Sequence, residues 1–241
     1  MGESDHQTGS YKVTLEVAGP LAMFARPDTG GTPTSYPVPT WSAVKGIFES
    51  IAFLASGSAW MCPTSVEICR PVGDSGGRIR FQRYTNNYGG PLRKASLSAK
   101  GTAPGGSSMQ LFATVLSDVC YRLHAAVVGP PSTGRINAQH HLSDLFQRRL
   151  KQGRCFRTPC LGWSEFTCSY WGRFRKGVTE VDEALEVEVP SMLLGVWDDA
   201  MRGRYAPTFR QDVKVVRGLL HYDFPAAWRG QAAPAVVIDA E

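Results

Sequence analysis

Two adjacent histidines are the residues of this sequence best suited to proton-transfer chemistry. His140 and His141 follow a Gly- and Pro-rich loop and stand near the start of a segment, from about 137 to 152, whose apolar residues recur at helical spacing. An imidazole titrates near neutral pH, so it can serve as a general base or a general acid. On a helical wheel His141 falls at the margin of the apolar stripe, roughly 115° from its centre, and His140 points away from the core. A margin position predicts partial burial for His141, but the spacing by itself favours the alternative of two ordinary surface histidines in a first helical turn.

Positive charge is concentrated in the middle of the chain. The 241 residues carry a formal net charge of +5, yet residues 70–178 alone contain 17 basic and 4 acidic residues, and most of the basic ones are Arg. Guanidinium groups match phosphate oxygens in shape and charge, so this excess predicts a polyanionic partner such as a nucleic acid. The alternative is a solvated surface whose charge is offset in space by the acidic segment 179–241.

Other chemistries have little support. The six cysteines lack the paired C-x2-C spacing of zinc modules and are expected to be reduced thiols, and the glycine-rich stretch 73–77 matches no nucleotide-binding motif. We expect no metal ion and no other cofactor. There is no apolar run of about 20 residues and no secretory signal, which excludes a membrane protein and favours a cytoplasmic one.

The elements that must position these residues follow from periodicity and from helix-capping and turn residues. Their order predicts an α+β protein with a split βαβ or ferredoxin-like domain and a smaller, mostly-β tail. We predict a first helix from Trp41 to about Leu54, capped by Thr40, and a second helix at 137–152, stopped by Gly153. A long loop is predicted at 85–108. The predicted strands are 11–18, 65–72, 79–84, 109–128, 160–166, 184–189, 192–197 and 213–222.

Four segments resemble one protein family. The sequence SYPVPTWSAVKGIFESI at 35–51 resembles a segment of the Cas-five subunit of subtype I-C (Dvulg) CRISPR systems. The order of the other segments also agrees with that family, and the resemblance as a whole covers Tyr11 to about Tyr222. They are NAQHH at 137–141 with the helix end at 147–153, RCFRTPCLG at 154–162, and SMLLGVWD at 191–198.

The resemblance implies both a fold and a function. The implied fold is a ferredoxin-like RAMP domain at 1–165, with a β-hairpin arm and basic loop at about 70–108, followed by a small antiparallel β-sheet region at 166–241. The implied activity is metal-free cleavage of precursor CRISPR RNA at the repeat, leaving a 2′,3′-cyclic phosphate, in antiviral defence. The subunit then stays on the 5′ handle in the Cascade surveillance complex, beside a Cas-seven-type backbone subunit and a Cas-eight-type large subunit, and meets target DNA only indirectly. The residues expected to bind RNA are Lys45, Arg78, Arg80, Arg83, Arg93, Lys94, Arg148, Arg149 and Arg154.

The family's cleavage centre matches this sequence in part. That centre is a Tyr directly after the "ESI" of the first helix, with a Lys-His pair at the second helix. Here the corresponding residues are Ala52, His140 and His141. The resemblance implies His141 as the principal acid/base group and His140 as the second proton-transfer or charge-stabilising group. Three hypotheses stay open: a processing enzyme that becomes a complex subunit, a structural handle-capping subunit whose cleavage centre has decayed, and a generic RNA-binding ferredoxin-like module.

Overall fold

An antiparallel sheet with two helices makes up the part of the chain that the structure, a computed structural model, describes: residues 11–88, 109–129, 137–197 and 204–222. Of the loop predicted at 85–108, residues 85–88 belong instead to a strand, because they pair with residues 109–112, and the remainder lies outside the described residues. The helices are α1 (Trp41–Ile51) and α2 (Ala138–Gln152). The strands are β1 (Tyr11–Ala22), β2 (Trp60–Pro71), β3 (Phe81–Tyr88), β4 (Met109–Val128), β5 (Tyr170–Gly172), β6 (Thr179–Val181), β7 (Val187–Trp197), β8 (Tyr205–Val216) and β9 (Leu219–His221).

The long strand β4 organises the sheet. Its second half lies between β1 and β2, with Leu123 opposite Leu15 and Val66. Its first half pairs with β3, so that these two strands form a hairpin. The sheet order is β5-β1-β4-β2-β9-β8-β7, and β6 pairs with the end of β2. The pairing of β9 with β2 joins the late strands to the same sheet.

Both helices share one apolar core with alternate residues of the central strands. Leu15 of β1 and Leu123 of β4 are fully buried in it, together with Phe48 of α1 and Phe146 of α2. The rings of Phe48 and Phe146 lie 5.7 Å apart, which fixes the two helices against each other. Because side chains alternate along a strand, the residues between these buried positions lie on the opposite face of the sheet.

Local capping chemistry sets the helix boundaries. The Thr40 side chain accepts a hydrogen bond from the backbone N–H of Ala43, and this confirms the predicted start of α1. Gly153 ends α2 in the left-handed region at φ 64°, also as predicted. The helix α1 ends at Ile51, three residues before the predicted end, because Ala52 already has an extended backbone.

Four of the predicted strands need correction. Residues 160–166 form turns rather than a strand, because Gly162 has φ 90° and its α-carbon faces the Met23 carbonyl, where no side chain fits. The two strands predicted at 184–189 and 192–197 are the single strand β7. The strand predicted at 213–222 is divided between β8 and β9 by a tight turn in which Arg217 and Gly218 both have positive φ.

Candidate functional site

The two histidines stand in the first turn of α2, as the sequence predicted. The Asn137 side chain accepts hydrogen bonds from the backbone N–H groups of Gln139 and His140, at 2.9 and 3.2 Å, and so begins the helix. Consecutive residues of a helix point in directions about 100° apart, so the two imidazoles have different neighbours. His140 is held on two sides, whereas His141 faces solvent.

His140 is the histidine with protein contacts. Its Nε2 lies 3.1 Å from the Asp144 carboxylate one turn later, and its ring centroid is 5.6 Å from that of Tyr11 at the start of β1. The side chain nevertheless remains 58% exposed. With Nε2 donating to Asp144, Nδ1 is the ring nitrogen that remains for a ligand.

His141 is exposed, and the prediction of partial burial for it is wrong. The helical wheel placed His141 at the margin of the apolar stripe of α2. A wheel does not show how far the rest of the protein covers that stripe. Here Leu142 and Phe146 are buried against the sheet, and the ring at the margin of that contact, Tyr11, packs on His140 instead. His141 is therefore accessible to solvent.

Position 52 lies at the other end of α2. Ala52 is fully buried, and the preceding carbonyl, of Ile51, accepts a hydrogen bond of 2.6 Å from Arg149 Nη1. Arg149 comes eight residues after His141 in the same helix, which separates the two by about 12 Å along its axis. The structure thus brings His140 together with Tyr11 and places position 52 at the far end of α2 from both histidines.

The arginines predicted to bind RNA divide into free and occupied groups. Four of them are exposed and take part in none of the ion pairs among the described residues: Arg78, Arg83, Arg148 and Arg154. Exposed guanidinium groups without a carboxylate partner are available to phosphates. Arg93 and Lys94 lie outside the described residues.

Three other predicted RNA contacts already have protein partners. Lys45 forms an ion pair with Glu49 one turn later and lies 5.7 Å from the Trp60 ring, and its side chain is only 12% exposed. Arg80 lies 3.2 Å from Asp74 and 3.8 Å from Asp118. Arg149 donates to the Ile51 carbonyl, as described above, so Lys45 and Arg149 have structural contacts that the sequence did not reveal.

A buried carboxylate on the opposite face of the sheet was missed by the sequence analysis. Glu16 is fully buried and receives hydrogen bonds from Arg175 Nε at 2.6 Å and from the Thr179 hydroxyl at 3.0 Å, with Arg122 Nε at 3.4 Å. Burial by itself raises the pKa of Glu16, but the hydrogen bonds from Arg175 and Thr179 outweigh it and hold the pKa below its ordinary value. Alternation along β1 is enough to place Glu16 on this face. Its position opposite Arg122 depends on the register between β1 and β4, which cannot be read from the sequence.

This network accounts for part of the basic excess. Arg122 and Arg175 neutralise Glu16, and Arg70 pairs with Glu180 at 2.9 Å. The alternative in which acidic residues of 179–241 offset the basic segment therefore holds for Arg70. It does not extend to the exposed arginines of α2 and the loop after it.

Two further observations bear on the kind of site. Within the described ranges, no three His, Cys, Asp or Glu side chains form a group that could hold a metal ion. In that same part of the chain, no helix is long and apolar enough to cross a membrane. The exposed side chains of α2 include the two imidazoles and the Arg148 guanidinium group, beside the carboxylate of Asp144 and the ammonium group of Lys151.

An exposed imidazole pair and the unpaired guanidinium group of Arg148 on one helix, with Arg154 in the loop after it, are typical of a polyanion-binding protein that carries acid–base groups. Sequence comparison gives the particular family. The family model described as "CRISPR-associated protein (Cas_Cas5)", in its Cas5d form, matches residues 13–233, and the chain belongs to this family. The predicted relation to the Cas-five subunit of subtype I-C is confirmed.

Two curated relatives share the same printed name, "CRISPR pre-crRNA endoribonuclease Cas5d". The protein from Mannheimia succiniciproducens is 28% identical over 170 residues, which cover 66% of this chain and 71% of the relative. The protein from Thermus thermophilus is 30% identical over 155 residues, which cover 64% of this chain and 61% of the relative.

Two solved structures share the fold. One is titled "Crystal Structure of CRISPR-associated Protein" and aligns with a TM-score of 0.53 at 17% identity, covering 89% of this chain and 93% of that one. The other, the functionally uncharacterized protein SMU1763c from Streptococcus mutans, aligns with a TM-score of 0.55 at 16% identity and the same coverage.

Proposed function

We propose that this chain cleaves precursor CRISPR RNA at the repeat without a metal ion and remains on the 5′ handle as a subunit of the type I-C Cascade complex in antiviral defence. The observation that carries the proposal is the exposed His140–His141 pair on a helix that also presents Arg148 to solvent. Imidazoles can move protons, and the guanidinium groups can hold the phosphates. Membership of the Cas5 family, whose curated relatives are named pre-crRNA endoribonucleases, supplies the substrate.

The reaction requires two proton transfers. A base removes the proton of a ribose 2′-hydroxyl, and the 2′-oxygen attacks the adjacent phosphorus. The bond from phosphorus to the 5′-oxygen then breaks, and an acid protonates that oxygen, which leaves a 2′,3′-cyclic phosphate and a 5′-hydroxyl. We assign the principal acid/base role to His141, which is exposed, and the second role to His140, whose ring Asp144 and Tyr11 orient. A cation near the phosphate would stabilise the charge of the pentavalent transition state.

The finer fold and partner assignments belong to the same proposal. We infer a ferredoxin-like RAMP domain at 1–165 whose β-hairpin arm is the β3–β4 hairpin, and a small antiparallel region at 166–241 built on β7, β8 and β9. The hairpin supports the arm assignment because it extends from the sheet and carries the exposed Arg83. The proposed partners are the repeat and 5′ handle of CRISPR RNA, the Cas-seven-type and Cas-eight-type subunits and, indirectly, target DNA. The proposed location is the cytoplasm.

One structural observation favours a second function, that of a handle-capping subunit without catalytic activity. Position 52 is a buried alanine about 12 Å along α2 from the histidines, so the phenol that the family resemblance implies is absent there. A subunit of this kind would bind the repeat through the same arginines and leave cutting to a separate nuclease.

Incubation with the repeat RNA of its own CRISPR locus in EDTA separates the two functions. We expect the parent protein to cut once per repeat and to leave a cyclic phosphate, and we expect His141→Ala to slow cutting by about 10²–10⁴-fold. Repeat affinity should change little, since one imidazole adds little to the attraction of the exposed arginines for phosphates. Phe209→Leu, at an exposed position on β8 far along the chain from α2, provides a control that should cut at the parent rate.

The outcomes are distinct. Equal rates for His141→Ala and the parent protein would refute the catalytic assignment. Tight repeat binding without cutting by either protein would establish the capping function instead. Equal affinity for the repeat and for a scrambled RNA of the same length would favour a generic RNA-binding module.

A further inference from the structure

Two phenylalanine side chains are exposed side by side where the ends of α1 and α2 meet. Phe53 follows α1 and is 37% exposed, and Phe156 follows α2 and is 58% exposed. Their ring centroids are 4.7 Å apart with an angle of 75° between the planes. Neither the acid–base chemistry nor the predicted phosphate contacts use this pair.

The backbone that carries the two rings is fixed. The N–H groups of Phe156 and Arg157 both donate to the Ser50 carbonyl, at 2.9 and 2.8 Å, and so attach the loop after α2 to the end of α1. The Arg149 side chain bonds the Ile51 carbonyl from the other side. The rings are therefore presented at a defined position rather than on a free loop.

The surroundings of the pair are cationic. Between Leu145 and Ser164 the sequence contains Arg148, Arg149, Lys151, Arg154 and Arg157 and no acidic residue. All of these except Arg149 are exposed, and no ion pair among the described residues involves them.

The nearest acidic residue of α1 adds no free negative charge. Glu49 is paired with Lys45 on the same helix. A partner for this surface must therefore combine flat apolar faces with dense negative charge, and a single-stranded nucleic acid has both.

We propose that Phe53 and Phe156 form a stacking platform for one unpaired base of the bound RNA, with Arg148, Arg154 and Arg157 contacting the flanking phosphates. The inference rests on the proposed function for the identity of the nucleic acid. The helix α2 has 15 residues and is about 22 Å long, with the histidines in its first turn and the platform beyond its last. The stacked base consequently lies several nucleotides from the bond that is cut, and the platform contributes to affinity and to the choice of cleavage site rather than to the proton transfers.

The test combines a protein change with an RNA change. The probe is the repeat RNA made with 2′-O-methyl riboses, which cannot be cut because the attacking hydroxyl is blocked, and with a single abasic site moved through its unpaired positions. Phe156→Leu keeps an apolar side chain but removes the aromatic face, and Phe156→Trp keeps the face. Phe209→Leu is the matched control, since Phe209 is 46% exposed on β8, far along the chain from the basic loop.

We expect Phe156→Leu to weaken binding of the intact probe by about 5- to 150-fold, the range for loss of one base–aromatic stack. Phe156→Trp and Phe209→Leu should bind like the parent protein. One abasic position should weaken binding to the parent protein and have no further effect on Phe156→Leu, because both changes remove the same contact. The slope of affinity against salt should stay constant, since no phosphate contact is lost.

Two results would overturn the platform. One is parent-like binding of the intact probe by Phe156→Leu, and the other is the absence of any abasic position whose effect disappears in that variant. If Phe156→Leu binds RNA normally but no longer assembles with the backbone subunit, the pair is a protein contact. If the effect of one abasic position disappears in Phe156→Leu but the parent protein does not cut unmodified repeat RNA, only the cleavage proposal is refuted. If the parent protein does not bind the probe, both proposals are refuted.

Discussion

Arg148 and Arg149 are adjacent in α2 and carry the same charge, but the structure predicts opposite consequences when each is replaced. The Arg148 side chain is exposed and takes part in no ion pair among the described residues. Arg149 is partly buried and donates a 2.6 Å hydrogen bond to the Ile51 carbonyl at the end of α1. One arginine is therefore available to RNA, whereas the other joins the two helices.

The expected magnitudes follow from these contacts. Arg148→Ala removes one phosphate contact, so the slope of log affinity against log salt should flatten by about 0.7 for single-stranded RNA, with no change in stability. Arg149→Ala removes a hydrogen bond with a charged donor, which is worth about 1.5–3 kcal/mol. For a protein of this size the midpoint of thermal unfolding should then fall by roughly 3–12 °C. The salt slope of Arg149→Ala should equal that of the parent protein.

The assay is fluorescence anisotropy of labelled repeat RNA across a salt series, together with thermal unfolding of the same preparations. Each variant serves as the charge-matched control for the other, because both lose one positive charge from neighbouring positions of one helix. The reasoning fails if both variants flatten the salt slope equally while the unfolding midpoint of Arg149→Ala stays at the parent value. That result would mean that Arg149 leaves the Ile51 carbonyl to bind RNA.

Two other predictions concern residues that sequence reasoning did not select. The Tyr11→Phe variant should cut repeat RNA within about twofold of the parent rate. The Tyr11→Ala variant should cut about 10- to 100-fold more slowly, because misplacing a catalytic group by an ångström has effects of that size. Equal rates for Tyr11→Ala and the parent protein would show that the Tyr11 ring does not position His140. Glu16→Gln should lower the free energy of unfolding at pH 7 by about 3 kcal/mol, since it leaves Arg122 and Arg175 without their buried anion. The pKa of Glu16 is lower in the folded state, so its contribution to stability is present above the unfolded pKa near 4.3 and is lost as the pH falls further. Denaturant unfolding should therefore show the difference in unfolding free energy between parent and variant shrinking in acid. A difference that does not depend on pH would contradict the assignment.

The sequence specified the elements whose boundaries depend on neighbouring residues. Thr40 caps α1 and Gly153 stops α2 because each acts on backbone groups within a few positions of itself. Alternation along 11–18 was sufficient to recognise β1, and the apolar, β-prone composition of 109–128 was sufficient to recognise β4. The segment 160–166 was misassigned because its conformation depends on Gly162 meeting Met23, a residue far away in the sequence.

The candidate site was predictable in composition but not in arrangement. The residue types and the helix position of His140 and His141 were readable, but which imidazole is covered depends on Tyr11, which is distant in the chain. In the same way, the charge of Arg149 was evident, whereas its bond to the Ile51 carbonyl depends on how α1 packs on α2. Charge and periodicity are properties of the sequence, while pairing and exposure are properties of the packed chain.

The packing of α1 against α2 also indicates that RNA binding and proton transfer would occur at opposite ends of α2 in the proposed site. Phe48 meets Phe146, and Ile51 meets Arg149, so the C-terminal ends of the two helices lie together and the first turn of α2 extends beyond this contact. The end of α2 that adjoins α1 is rigid and cationic, and these properties suit the binding of an RNA strand. The first turn, at the other end of the helix, carries imidazoles with access to solvent, which is what proton transfer to a bound phosphodiester needs. A polyanion lying along α2 would therefore be held at one end of the helix and presented to acid–base groups at the other.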